Sequence, residues 1–175
     1  MEIKLCTIGF AGKTAEEFFA LLTSAGVRTV IDIRQNRIGQ LSGFAKFPDI
    51  AFLLDRVAGI GYRHEETLAP TPEILKAYRA SRDWPGYEAA FLGLMKERRV
   101  PEQIPVAGFA GVAALLCSEP GPEKCHRRLV AELLADYWSE ENHTVEIHHL
   151  RNERPVRDKR GRRREASALK GETGD

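Results

Sequence analysis

Cysteine, long apolar runs and net charge are all scarce in this chain, and each shortage excludes something. Three cysteines in 175 residues, Cys6, Cys117 and Cys125, are too few and odd in number for the disulfide framework of a small secreted domain. No stretch approaches the roughly 20 apolar residues that a membrane-spanning helix needs, so no membrane partner is expected. Met1-Glu2-Ile3-Lys4-Leu5 runs straight into a strand-like segment, without the charged region and apolar core of a secretory signal. The expected location is cytoplasmic. A net charge of +1 conceals an asymmetry. Residues 151–175 carry nine Lys/Arg against five Asp/Glu, a net of +4, which leaves residues 1–150 with seventeen against twenty, a net of −3. The mildly acidic body argues against a large electrostatic footprint for nucleic acid, while the basic end keeps such a partner open.

A folded domain is what remains. The chain is long enough to bury a core without staples. Residues 1–150 read as a single α/β domain. Arg154 to Arg164, with seven basic residues, one acidic residue and no apolar periodicity, reads as part of a flexible tail over 151–175.

Strands and helices alternate. Ile3 to Gly9 is a short apolar strand. Thr14 caps a helix with Glu17 completing a capping box, and Phe18, Leu21, Leu22 and Ala25 fall on one face. Arg28 to Ile33 is a second strand, nearly continuous in its apolar character as a strand covered on both faces should be. A long polar loop, 34–47, leads to a helix opened by Pro48 and running to about Ala58, and Ile60 to His64 is a third strand. Thr71-Pro72 and Pro85 open two further helices. In the second of these Tyr87, Phe91, Leu94 and Met95 form a stripe best read as a face packed on the sheet. Pro101 and Pro105 interrupt the pattern. Gly111 to Cys117 is a continuously apolar, central strand, followed by a helix from about Glu123 to Trp138 and a last strand, Thr144 to His148. The order implies a three-layer, Rossmann-like α/β fold with a mostly parallel sheet of about five strands, the first two paired through a right-handed crossover. The strand order expected from two-halves winding is 3-2-1-4-5.

In such a sheet ligands sit at the carboxyl ends of the strands, which selects Gly9 to Gly12, Asp32 with Arg34, and Cys117 onward. The last is the richest: Cys117-Ser118-Glu119-Pro120-Gly121-Pro122-Glu123-Lys124-Cys125-His126-Arg127. A cysteine closes a buried strand, a Pro/Gly loop turns the chain, and a cysteine, a histidine and two arginines open a helix. Helix N-termini attract anions and depress thiol pKa values. Cys117 or Cys125 is the candidate nucleophile, and Glu119 or His126 the candidate acid or base. Arg34 and Arg127 are candidate anion ligands, with Asp32 orienting an arginine. The plainer reading is that Cys117 is a core residue and that Arg34, Glu119 and Arg127 form an ion-pair network. Zinc fits the residue types, but Cys-x7-Cys-His is not a finger spacing. Cys-x-x-Cys is absent, as is the Cys-x5-Arg of cysteine phosphatases. No cofactor and no resident metal are expected.

Thr7-Ile8-Gly9, Asp32-Ile33-Arg34, and Leu115-Leu116-Cys117-Ser118-Glu119 with Cys125-His126-Arg127 together resemble the domain-of-unknown-function family 488. The pattern there is similar to T-I-G-[HF], D-[VI]-R, and L-L-C-x-E followed by C-H-R. The resemblance covers roughly residues 5 to 150 and implies a compact α/β domain, with Asp32, Arg34, Cys117, Glu119, Cys125, His126 and Arg127 at motif positions but no established role for any of them. Gln35-Asn36-Arg37-Ile38-Gly39 departs from the proline- and arginine-rich segment of many members, and Leu68-Ala69-Pro70 stands where members often carry Gly-Gly. Three functions fit these residues. One is an enzyme acting on a small anionic or phosphate-bearing substrate, one a nucleic-acid-binding or regulatory module using Arg34, Arg127 and the basic tail, and one a structural core without catalysis.

Overall fold

A computed structural model describes residues 2–39 and 42–152. Five strands, β1 (Glu2–Gly9), β2 (Thr29–Asp32), β3 (Gly61–His64), β4 (Val112–Cys117) and β5 (Thr144–Leu150), alternate with six helices. These are α1 (Ala15–Ser24), α2 (Asp49–Ala58), α3 (Pro72–Ser81), α4 (Trp84–Glu97), α5 (Val100–Gln103) and α6 (His126–Glu140). Every strand pair is parallel, as expected for strands joined by helical crossovers.

The three inner strands β1, β2 and β4 are buried on both faces, while the edge strands β3 and β5 are partly exposed, and the period-2 alternation sorts the core into two. Ile3, Leu5, Ile31, Ile33, Ala113 and Leu115 face α4, α5 and α6, where Phe91, Met95, Leu134 and Trp138 are buried. Cys6, Ile8, Val30, Ala114 and Leu116 face the other way, onto Phe18 and Leu22 of α1 and Ile50 and Leu54 of α2. That alternation across two covered faces is why β2 and β4, and most of β1, are nearly continuously apolar. The stripe on α4 packs on the sheet as its spacing implies.

The strand order is β3-β2-β4-β1-β5, which corrects the expected 3-2-1-4-5. β1 and β2 are parallel but not neighbours. β4 lies between them, its Ala113 to Leu116 paired with Thr29 to Asp32 on one side and with Leu5 to Ile8 on the other. Apolar continuity marks a strand as interior without naming its neighbours, and a crossover can span one intervening strand. The reversal of winding survives the correction. The chain leaves β1 toward β2 and leaves β4 toward β5, so the switch point still falls between β1 and β4.

Helix ends follow local chemistry. Thr14 and Glu17 form the reciprocal capping box of α1, at 3.2 and 2.8 Å. Thr71 and Asp83 cap α3 and α4, each with proline in the first turn. Pro101 lies inside the first turn of α5 rather than breaking structure there. The last long helix begins at His126, three residues later than Glu123, because Pro120-Gly121-Pro122 holds the chain in a loop and Cys125 takes the extended N-cap conformation (φ −144°, ψ 136°). Among the described residues no helix is long and apolar enough to cross a membrane. The segment read as a basic tail lies, from residue 153 on, outside the described residues.

Candidate functional site

The carboxyl ends of β1 and β4 meet in register, Gly9 beside Cys117, and the chain beyond them is laced together. Phe10 N–H donates to the Cys117 carbonyl, Ala11 N–H to Ser118 and Ile33 N–H to Leu116. The loop after Cys117 folds back over β1 so closely that a Cβ on Gly9 would lie 1.7 Å from the Glu119 carbonyl oxygen and 2.9 Å from Arg127 Nη1. Only glycine allows this approach, which gives the glycine of Thr7-Ile8-Gly9 its physical reason.

Arg127, 1% exposed, fastens the same loop. Its Nη1 donates to the Glu119 carbonyl at 2.7 Å and to Cys125 Sγ at 3.3 Å, and its Nη2 to the Pro120 carbonyl at 3.5 Å. Its Nε is buried without a hydrogen-bond partner among the described residues. Arg34, 2% exposed, grips Asp32 in a bidentate fork, Nε to Oδ1 at 2.8 Å and Nη2 to Oδ2 at 2.6 Å, while Nη1 donates to the Ala45 carbonyl at 2.8 Å. Asp32 also accepts from Arg34 N–H and from the Tyr62 hydroxyl, at 3.1 and 2.7 Å. Both arginines thus spend their donors largely on the protein, Arg34 shaping the loop after β2 and Arg127 the loop after β4.

The thiol end of the cluster is different. Cys117, Cys125 and His126 are all buried, and their sulfur and ring-nitrogen atoms lie within 4.8 Å of one another. His126 Nε2 is 2.9 Å from the Ile33 carbonyl. A carbonyl only accepts, so Nε2 carries a proton, and in the neutral ring Nδ1 is left as the acceptor. That Nδ1 faces Cys117 Sγ at 3.6 Å, and Phe91 packs against the ring, centroids 5.5 Å apart. The histidine in the first turn of α6 is therefore held in one orientation, toward the thiol.

The electrostatics follow. The adjoining Cys125 thiol, outweighing burial and helped by the His126 charge and the Glu119 backbone N–H, holds the Cys117 thiol well below its ordinary value. Burial and the Cys117 charge push Cys125 the other way. Burial alone would lower His126, but the facing Cys117 reverses the sign and raises it. The arrangement favours a Cys117 thiolate beside a His126 imidazolium, with Cys125 kept as the thiol. Partial removal from water and the Cys117 charge raise the Glu119 carboxyl, against the nearby cations of Arg127, His126 and Arg79.

These groups line a cleft of about 560 Å³. One wall is the turn after β1 with Gln35 and Asn36, and the other is Tyr78 and Arg79 of α3 with Trp84 and Tyr87 of α4. Lys124 completes the rim. Sequence reasoning missed Arg79, Lys124, Tyr78 and Trp84. α3 has no buried residue, so its apolar side chains give no core signal that would have drawn notice. Two of the expected site residues do not line the cleft: Asp32, fully buried behind Arg34, and Arg127, buried beneath the loop after β4.

The model of the domain of unknown function DUF488 matches residues 14–134. The chain belongs to this family. No curated protein and no solved structure matches it. The family's C-x-E and C-H-R motif residues are thus the thiol corner itself. Cys117, Cys125 and His126 are also the one group among the described residues with the donor types and spacing for a metal ion. A cation there would meet the Arg127 guanidinium 3.3 Å from one of its ligands, an electrostatic conflict that a thiolate site does not face.

Proposed function

We propose that this protein is a thiol-dependent enzyme acting on a small anionic substrate held in the cleft at the carboxyl ends of the strands. One observation carries the reading: His126, its Nε2–H held by the Ile33 carbonyl at 2.9 Å, turns Nδ1 to Cys117 Sγ at 3.6 Å on the floor of that cleft. A nucleophile beside a base that is itself oriented by a third group is the working arrangement of thiol catalysis. The Cys117 thiolate attacks an electrophilic acyl or phosphoryl centre and forms a bond to it. The leaving group departs with the proton from His126 Nδ1. His126, now neutral, then draws a proton from the water or second acceptor that releases the group from sulfur.

Anion binding falls to Arg79 and Lys124, both exposed at the cleft rim. Arg34 and Arg127 act as positioning residues, holding the two loops that frame the cleft. Tyr78, Trp84 and Tyr87 offer apolar surface to the rest of the substrate. Nothing among the described residues favours the nucleic-acid reading: Arg34 and Arg127 are buried, and Arg128 is paired with Glu88 and Glu132.

The test is pH-resolved alkylation of the native protein, read by mass spectrometry. Cys117 is expected to label well below the ordinary thiol value of about 8.5, with Cys125 and Cys6 silent. Labelling of all three only on unfolding would end the thiolate reading.

A further inference from the structure

The mechanism above uses one sulfur and leaves its neighbour idle. Cys125 is 2% exposed, its thiol adjoins Cys117, and both sulfurs open onto the same cleft floor. Two sulfurs brought this close at the junction of β4 and α6 need little movement to bond, and Cys125, as the extended N-cap residue, lies where a helix end can yield without disturbing the sheet. Cys6, the third cysteine, is buried on the opposite face of the sheet among Ile8, Phe18 and Leu22, so the pairing has a built-in control.

We propose that Cys117 and Cys125 are a peroxidatic and a resolving cysteine, and that the site reduces hydroperoxides. This rests on the reading of Cys117 as the reactive thiolate. Cys117 and Cys125 are 4% and 2% exposed, and a hydroperoxide, whose reacting group is two linked oxygens, is small enough to reach sulfurs so placed. The Cys117 thiolate attacks the terminal oxygen and an S–O bond forms as the O–O bond breaks. The departing alkoxide, or hydroxide, takes the proton from His126 Nδ1 and leaves as alcohol or water. Cys117 is oxidised to the sulfenic acid and the hydroperoxide is reduced. Cys125 then gives its proton to His126 and attacks the Cys117 sulfur. The S–O bond breaks as the disulfide forms, and the hydroxyl leaves as water with that proton. A dithiol returns both cysteines to the reduced form, being itself oxidised to a disulfide.

Arg127 has a defined part in the second half. Its Nη1, 3.3 Å from Cys125 Sγ, stabilises the Cys125 thiolate as it forms, so a thiol that burial keeps protonated at rest is activated only when its proton can pass to His126.

The experiment treats the full reduced chain with equimolar hydrogen peroxide and maps the products before reduction. The expected result is loss of two hydrogens, a linked pair of peptides holding Cys117 and Cys125, and free Cys6. C125S is expected to stop at a Cys117 sulfenic acid trapped by dimedone, and C117S to lose peroxide-dependent oxidation of a supplied dithiol. If Cys117 alkylates at low pH but peroxide yields only its sulfinic or sulfonic acid, with no linked pair, the pairing is overturned and the thiolate reading stands. If Cys117 neither alkylates at low pH nor reacts with peroxide, both fall.

Discussion

Gly9 and His126 show how a single position can carry the site. The Cβ that Gly9→Ala would add has no room, lying 1.7 Å from the Glu119 carbonyl oxygen, and both neighbours are backbone or a buried guanidinium that cannot swing aside. The expected outcome is destabilisation of about 1–3 kcal/mol, read as a lower denaturant midpoint at unchanged slope, with slower Cys117 alkylation because the displaced loop carries the Glu119 N–H away from the sulfur. His126→Asn tests the charge rather than the packing. Cys117 is held below its ordinary value in part by the His126 cation. Removing a positive charge disfavours the thiolate, so the pH at which alkylation begins should move up in the variant, toward the ordinary thiol value. An unchanged onset would mean that His126 is only a packed core residue. The thiol and histidine were legible as residue types, and so was the turn at Gly9. What the sequence could not state is which ring nitrogen faces the sulfur, because that depends on the Ile33 carbonyl, ninety-three positions away.

Among the elements, the end of β2 and the edge strand β3 are joined through one carboxylate. Asp32 accepts from Arg34 three times and from the Tyr62 hydroxyl once. Asp32→Asn leaves a guanidinium 2% exposed without its charge partner, and such a loss costs about 3–5 kcal/mol, expected as a matching drop in unfolding free energy. Tyr62 gives a second readout. Burial first, and then the bond to Asp32, push its hydroxyl up to about 12 from an ordinary value of 10.0. A folded value above the unfolded one means that the neutral phenol contributes stability fully below pH 10 and loses it as the pH rises through 12. Tyr87, pushed up further by deeper burial, and Tyr137 are raised as well, so an absorbance titration should show a late-ionising component that loses one tyrosine in Tyr62→Phe and part of which shifts down in Asp32→Asn. Sequence reasoning placed Asp32 and Arg34 at a strand end and assigned Arg34 to a ligand. The pattern D-x-R does not state that the guanidinium, at the cleft wall, also folds back on its own aspartate and onto the Ala45 carbonyl. The β4–loop–α6 corner was the most legible element, since an apolar run, a Pro/Gly loop and a helix start are all local signals.

For the whole molecule, three layers and a parallel sheet follow from the alternation of strands and helices and from strands apolar on both faces. The order of those strands does not, because pairing is a long-range choice that leaves no local mark. The same strand ends are selected in either case, since both orders put the reversal of winding between β1 and β4, and the ligand rule depends on that reversal alone. Strand order has a direct measurement. Adjacent strands lie about 4.8 Å apart, so with β4 between them β1 and β2 are separated by roughly 9.6 Å, too far for amide cross-peaks. Nuclear Overhauser spectra should connect residues 29–32 with 113–116, and 4–9 with 112–117, and should connect nothing in 29–32 with 4–8. Cross-peaks between β1 and β2 would restore the order 3-2-1-4-5. They would also take Ile33 away from the β4 edge, where its N–H donates to the Leu116 carbonyl. His126 would then lose the carbonyl that aims its ring at Cys117, so this cross-strand measurement tests the thiol site as well as the topology.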